Sequence, residues 1–216
     1  METEIIYREK SFVIVKKLSG VLSENTSGTT FGMVDLLKEQ LSCEIFPIHR
    51  LDREASGVMV YATDKKGASK LSEEISQGKF KKEYLVIVHG KPEDEKGVMQ
   101  DLLFKDSKKN KSYVVDRERK GVKKASLEYT LLKTKEIDGN TFSLVLVRLH
   151  TGRTHQIRVQ FSSRNMPVVG DSRYGSDKKT EMCLFSHRIG FENPYTKEQM
   201  AFECQPDGEF WDIFGK

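Results

Sequence analysis

Apolar residues along this chain fall in short blocks broken by polar turns more often than they recur at helical spacing. IIYREKSFVIVKK, residues 5–17, places a polar turn between two apolar runs and predicts a β-hairpin or two adjacent strands. TFGMVDLLKEQL, residues 30–41, sets Phe31, Val34, Leu37 and Leu41 at helical spacing, so an amphipathic helix is expected. GVMVYATD, residues 57–64, is a buried strand by its unbroken apolar run. In KKGASKLSEEISQG, residues 65–78, Ala68, Leu71 and Ile75 share one helical face and Gly78 supplies the C-terminal stop. KEYLVIVHG, residues 82–90, is again a strand. SLEYTLLKTKEIDGNTFSLVLVRLH, residues 126–150, predicts a long hairpin turning at Asp138-Gly139-Asn140. In TGRTHQIRVQFSSRN, residues 151–165, Thr154 is expected to cap a helix that turns Ile157 and Phe161 inward. CLFSHRIGFENPYTKEQMAFECQP, residues 183–206, closes the chain with strand-like runs around an Asn-Pro turn.

Strands outnumber helices and do not alternate with them. The expected class is therefore α+β, with a largely antiparallel mixed sheet and flanking helices. No repeat, low-complexity tract or linker interrupts residues 1–216, which are expected to form a single domain.

Charged residues make up 31% of the chain and hydrophobic ones 37%, the balance of a soluble globular protein. No apolar run approaches the roughly 18 residues that a membrane helix needs. The start METEIIYREKSF lacks the basic-then-apolar profile of a secretory signal, so a cytoplasmic protein is expected. Cys43, Cys183 and Cys204 are far apart and form no CxxC pair, which argues against a disulfide framework or a cysteine zinc site. The net charge is only +4, but residues 105–124, KDSKKNKSYVVDRERKGVKK, carry nine Lys/Arg against three Asp/Glu, with short strands such as KSYVV, residues 111–115, expected to bound the lysine-rich part. Such a run suits a polyanionic partner, because cations that neutralise phosphates release condensed counterions. It also suits a solvated loop with no partner.

Candidate chemistry gathers in two places. FPIHRLDREASG, residues 46–57, sets Asp52 between Arg50 and Arg53, just after His49. The arginines favour an ionised carboxylate, fit to act as nucleophile or base, although a surface ion pair would use the same residues. VRLHTGRTHQIRVQF, residues 147–161, offers Arg148, Arg153 and Arg158 with His150 and His155 around a Thr-Gly turn. The two histidines, five apart and outside any HExxH pattern, are a poor metal pair. Rossmann, P-loop, GxSxG and kinase signatures are absent, leaving an acid-centred site that needs no cofactor and no metal.

HRLDREASGVMVYA (49–62), KFKKEYLVIVHGK (79–91) and RLHTGRTHQIRVQFSSRNMPVVGDSRYG (148–175) resemble, in order and spacing, the three signatures of the RluA-type RNA pseudouridine synthases. The likeness begins at IIYREKSFVIVKKLSGVLS and spans essentially the whole chain. Three departures stand out: KKLSG carries Leu18 and Ser19 where the family often has Lys-Pro, Ala55 replaces the usual Thr, and CLFSHRIGF replaces a Leu-His-Ala pattern. The small S4-like RNA-binding domain of many relatives is not expected ahead of this catalytic domain.

The resemblance implies the pseudouridine synthase catalytic fold with a central RNA-binding cleft. It also implies isomerisation of uridine to pseudouridine in structured RNA, ribosomal or transfer. Asp52 would be the catalytic carboxylate, attacking the sugar or first taking a sugar proton. Tyr84 would stack on the uracil, and Arg158 would pair with Asp52. Arg50 would fill the space left by the flipped base, as a flat guanidinium can. Leu184 would line the uracil pocket, and Arg153, His155, Lys123 and Lys124 would meet RNA, with the 105–124 segment adding phosphate contacts. RNA is the expected partner, and a monomer with no obligate protein partner is expected. Two rivals are a non-catalytic RNA-binding protein on the same scaffold, which has no need of the Asp52, Tyr84 and Arg158 set, and a glycosidic hydrolase. The hydrolase would want a second acid or a metal, and the motifs supply neither.

Overall fold

The computed structural model describes residues 2–25 and 31–215. In chain order the strands are β1 (Glu4–Arg8), β2 (Phe12–Lys17), β3 (Phe46–Pro47), β4 (Ser56–Ala62), β5 (Lys81–His89), β6 (Lys96–Asp106), β7 (Lys111–Val115), β8 (Val122–Ile137), β9 (Asn140–Leu149), β10 (Leu184–Glu192) and β11 (Gln199–Glu203). The helices are α1 (Met33–Leu41), α2 (Lys65–Ser76), α3 (Gln156–Ser162) and α4 (Glu209–Asp212), with a 3-10 turn at Ser172–Tyr174. The class is α+β, mostly antiparallel, as the pattern predicts. The chain divides into two compact units, Met1–Lys82 with Phe185–Pro206, and Glu83–Leu184 with Asp207–Lys216.

In the first unit β2 lies between β1 and β4, antiparallel to both, with Val13 opposite Tyr61. β10 runs parallel to β4, and β11 returns antiparallel along β10. Phe12 and Ile14 from β2 join Val58, Val60 and Ala62 from β4 in one core, the period-2 face of each strand. Leu71 of α2 is buried in that core, with Ala68 and Ile75 packed against it, so the predicted helical face is the buried one. Asp64 caps α2 by accepting the Gly67 N–H at 2.7 Å.

The predicted first helix starts later than its spacing implied. Thr30 lies outside the described residues, and Phe31 stands 54% exposed ahead of the helix. The start is set at Gly32, whose N–H goes to the Asp35 carboxylate at 3.1 Å while Met33 N–H goes to the Leu22 carbonyl at 2.8 Å.

The second unit is an antiparallel meander in the order β5, β9, β8, β6, β7. The β8–β9 turn is tighter than predicted. Asp138 and Gly139 both have positive φ, 50° and 72°, and Ile137 pairs with Asn140, so Asn140 already belongs to β9. Half of the lysine-rich 105–124 segment is strand, from the end of β6 through β7, which is the expected KSYVV, into β8. Thr154 does not cap α3. That place falls to His155, in left-handed conformation at φ 52° with no side-chain capping bond, while Ile157 and Phe161 are buried as expected.

Candidate active site

Asp52 sits in the loop between β3 and β4, and that loop is unusually well tied. The Ser23 hydroxyl donates to the Leu51 carbonyl at 2.8 Å and accepts the Leu51 N–H at 3.0 Å. The Asp52 carbonyl takes the Ala55 N–H at 3.1 Å, closing a turn. The Arg53 carbonyl takes the Gly20 N–H at 2.8 Å, and the Glu54 carbonyl takes the Ser19 hydroxyl at 2.9 Å. Lys17 completes the set: its ammonium donates to the carbonyls of Leu18, Arg53 and Ala55 at 2.9, 3.1 and 2.6 Å. Every carbonyl from Leu51 to Ala55 is therefore engaged, four of the five by residues 17–23 at and after the end of β2. A backbone held at each step cannot easily re-aim the side chain between.

Lys17 is fully buried, and burial lowers its pKa from 10.5 to about 8, partly opposed by the charges of Asp52 and Glu54. The next anchor is His49. Its Nε2 accepts the Val60 N–H at 3.2 Å, which places the ring proton on Nδ1, a buried atom with no hydrogen-bond partner among the described residues. Burial, helped by the Lys82 charge, lowers its pKa to about 3, so the ring is neutral, and it packs on Phe80 at 5.4 Å between centroids. Gly57, just after the loop, has φ 114°, and a Cβ there would lie 2.3 Å from the Ser186 carbonyl oxygen. Only glycine lets β4 and β10 approach there.

The flanking arginines point to other partners. Arg50, with its side chain 67% exposed, lies 2.8 Å from the Glu24 carboxylate. Arg53 Nε donates to the Gly20 carbonyl at 2.9 Å.

In the second unit Tyr84 is buried on β5 opposite Val147 of β9, and Leu184 is buried at the start of β10. Arg158 projects from α3 and is 3% exposed. Its Nε and Nη2 donate to the two carboxylate oxygens of Asp171 at 2.6 and 2.9 Å, a bidentate buried pair. Its guanidinium also lies 5.1 Å from the centre of the Tyr174 ring. The Asp171 turn is braced at Gly170, whose φ is 80° and whose Cβ would meet the Glu181 carbonyl oxygen at 2.3 Å. Ser176 braces it too, accepting the Gly170 N–H at 3.0 Å while its hydroxyl lies 2.9 Å from His89 Nε2.

The Thr-Gly turn before α3 is stitched by Gln156. Its Oε1 accepts from the Thr151 hydroxyl and the Arg153 N–H at 2.7 and 3.0 Å, and its Nε2 donates to the Ser126 carbonyl at 3.1 Å. Arg153 and Lys124 are brought together, with Arg153 Nε donating to the Lys124 carbonyl at 2.9 Å. Lys123 and Lys124 are exposed on β8, and Lys124 faces Glu118 at 3.3 Å. His155 Nδ1 stands 3.0 Å from the Tyr174 hydroxyl, whereas His150 faces Glu128 at 3.0 Å. The two histidines thus serve different partners.

The sequence pattern singled out none of Lys17, Ser23, Gln156, Asp171 or Tyr174. The last three lay inside recognised motifs, and Lys17 ends a strand whose residues 12–15 are buried on both faces. Among the described residues no helix is long and apolar enough to cross a membrane.

Residues 11–163 match the family model described as RNA pseudouridylate synthase. A ribosomal large subunit pseudouridine synthase C of Buchnera aphidicola subsp. Baizongia pistaciae is 32% identical over 95% of this chain and 68% of its own length. A tRNA pseudouridine synthase C of Vibrio parahaemolyticus is 28% identical over 99% of this chain and 94% of its own. Among solved structures, human RNA pseudouridylate synthase domain containing 1 shares the fold with a TM-score of 0.80 at 24% identity, covering 95% of this chain and 84% of the human one. The match across 11–163 makes this chain a member of the RNA pseudouridylate synthase family.

Proposed function

We propose that this RNA pseudouridine synthase works through Asp52 as the catalytic carboxylate, Tyr84 as the ring that stacks on uracil, and Arg158 as the cation that serves Asp52 in the reacting complex. The C1′–N1 bond of uridine breaks, the uracil turns, and C5 bonds to C1′. The proton lost from C5 is matched by one gained at N1, so substrate and product are isomers and no donor or oxidant enters the balance. Asp52 supplies a full negative charge at the sugar, as nucleophile toward C1′ or as base toward a sugar proton.

A stacked base is out of reach of a side chain on the protein. It must leave the stack, at a cost of roughly a few kcal/mol, and Arg50 fills the vacated space. The exposed Arg50 guanidinium, paired with Glu24 at the surface, suits that task. Leu184 lines the uracil pocket. Arg153, His155, Lys123 and Lys124, with the 105–124 segment, meet the RNA backbone. The relatives named above for large-subunit ribosomal RNA and for transfer RNA point to structured RNA of those two classes as the substrate. The protein acts in the cytoplasm, as a monomer, with residues 1–216 working as one catalytic domain.

One observation supports the role of Asp52: the loop around it has every carbonyl from Leu51 to Ala55 engaged. A protein that merely held RNA would gain nothing from aiming one carboxylate so closely. The test is pseudouridine mapping on unmodified RNA incubated with the purified protein, beside Asp52→Ala. Sites made only by the wild type support the role of Asp52. Sites made equally by both would remove Asp52 from the chemistry.

A further inference from the structure

The tip of the lysine-rich hairpin is laced to the turn that carries Asp171. Lys111 Nζ donates to the Arg173 carbonyl at 2.7 Å, and Arg173 Nη1 donates back to the carbonyls of Lys109 and Asn110, both at 3.2 Å. The Ser112 N–H, on β7, donates to the Tyr174 hydroxyl at 2.7 Å, and the Ser112 carbonyl lies 3.3 Å from the same oxygen. The Ser112 hydroxyl donates to the Thr154 carbonyl at 2.7 Å, beside the start of α3. The tip itself is closed by Asp106, which accepts the N–H groups of Lys108 and Lys109 at 3.0 and 3.1 Å.

Tyr174 is the joint. It is buried with Leu103 of β6, Ala125 of β8 and Val159 of α3. Its hydroxyl meets the hairpin backbone and His155, while its ring has Lys111 on it at 4.9 Å and the Arg158 guanidinium at 5.1 Å. It also follows Asp171 closely, its N–H donating to the Asp171 carbonyl at 3.1 Å. One residue therefore touches the hairpin that carries the exposed lysine tips and both members of the Arg158–Asp171 pair, through backbone for one and ring for the other.

We propose that Tyr174 is a positioning residue that couples the Lys108–Lys109 hairpin tip to the Arg158–Asp171 pair, so that RNA phosphates seated on the tip set the arginine in its working geometry. This rests on the proposed role of Arg158. The hairpin then does more than hold RNA: it reports to Arg158 that a strand is in place. Phosphate charge on Lys108 and Lys109 draws the tip, Ser112 moves with it, and the Tyr174 hydroxyl carries the displacement to a ring packed on the guanidinium. Packed, hydrogen-bonded elements of this kind transmit sub-ångström shifts because they have no slack to absorb them.

The test follows the Arg158 Nε–H resonance by NMR while a uridine-free RNA duplex is added. The duplex can seat on the hairpin but offers no uracil to flip. The wild-type resonance is expected to shift. In Tyr174→Phe, which keeps the ring and removes the hydroxyl, the shift should vanish although the duplex still binds. In Lys108→Ser/Lys109→Ser, an exposed pair whose replacement leaves folding alone, both affinity and shift should fall. A wild-type resonance that does not move, or one that moves equally in Tyr174→Phe, overturns the coupling, as does unchanged affinity in the lysine variant. In turnover assays on transfer RNA and large-subunit ribosomal RNA transcripts, the lysine variant should raise KM and, because nothing then seats on the tip, also lower kcat. Tyr174→Phe should lower kcat about tenfold at constant KM, the split expected of misplacement and not of weaker binding. If the transcripts are not modified even by the wild type while the resonance behaves as described, the functional assignment fails and the coupling stands.

Discussion

Lys17→Met removes the ammonium that ties the Asp52 loop but keeps most of the buried stem. Two opposed quantities set its effect on stability. A pKa lowered from 10.5 to about 8 means that burial disfavours the charged form by roughly 3 kcal/mol, and methionine removes that penalty. Against it, the carbonyls of Leu18 and Ala55 lose their Lys17 donor, at about 1–3 kcal/mol each, while the Arg53 carbonyl keeps the Gly20 N–H. The sum leaves global stability within about 3 kcal/mol of wild type. Activity has no such offset. With Ala55 and Arg53 released from β2, the turn carrying Asp52 can drift, and a misplacement of about 1 Å costs roughly a hundredfold in rate. Urea melts measure the first quantity. Tritium release from C5 of labelled uridine in saturating RNA measures the second. A variant that keeps kcat within about threefold of wild type would refute the claim that the pinned backbone aims Asp52. The pH dependence is a second check. Between about pH 8 and 10.5 the unfolded chain holds the Lys17 proton and the native one does not, so this group's contribution makes stability rise with pH. Over the same interval the neutral amine has one donor fewer for three carbonyls, so kcat should fall as stability rises. Lys17→Met should show neither trend.

Asp171→Asn takes the carboxylate out of the buried bidentate pair with Arg158; unfolding should become easier by about 1.5–3 kcal/mol in urea melts, with turnover lost. His49→Phe removes the acceptor for the Val60 N–H, at about 1–3 kcal/mol, but also the unpartnered Nδ1–H, so the two nearly offset and stability near neutral pH should stay within about 2 kcal/mol of wild type. Because the native His49 pKa, about 3, lies below that of the unfolded chain, wild-type stability should fall relative to this variant as pH drops from about 6.5 toward 3. For RNA affinity measured against salt, Lys108→Ser/Lys109→Ser should flatten the logarithmic slope by about 2, one for each phosphate that these lysines neutralise.

Local pattern was enough for elements whose burial is either periodic on one face or continuous along the run. The 65–78 stretch became α2, with Ala68, Leu71 and Ile75 inward, and the 57–64 run became β4. β6 is not legible in the sequence, since Met99 and Leu103 are buried four residues apart while Val98 is 59% exposed, which blurs the alternation of a strand. KSYVV inside the basic segment is legible as a strand and is β7, whereas the rest of that segment reads as a charge run, because its order comes from pairing with β6 and β8 and from Tyr174, far along the chain. Thr154 looked like a cap because caps are read from residue type. The true turn depends on Gln156 reaching back to Thr151, Arg153 and Ser126.

The candidate site shows the same division. Its motif residues were legible, but what holds them was not. Lys17 reaches a loop 36 to 38 residues away, and Asp171 meets Arg158 from 13 residues on. Neither spacing belongs to a helix or a strand, so no periodicity could announce them.

Whether the charge on Asp52 drives the isomerisation is tested most directly by Asp52→Asn, which keeps the side chain's shape and removes that charge. Wild type and variant are compared in single-turnover release of tritium from C5 of uridine in transfer RNA and large-subunit ribosomal RNA transcripts, with RNA affinity measured alongside. The expected result is release by the wild type, none by the variant, and affinity preserved in both. Release by Asp52→Asn at a rate close to wild type would contradict the role given to that charge.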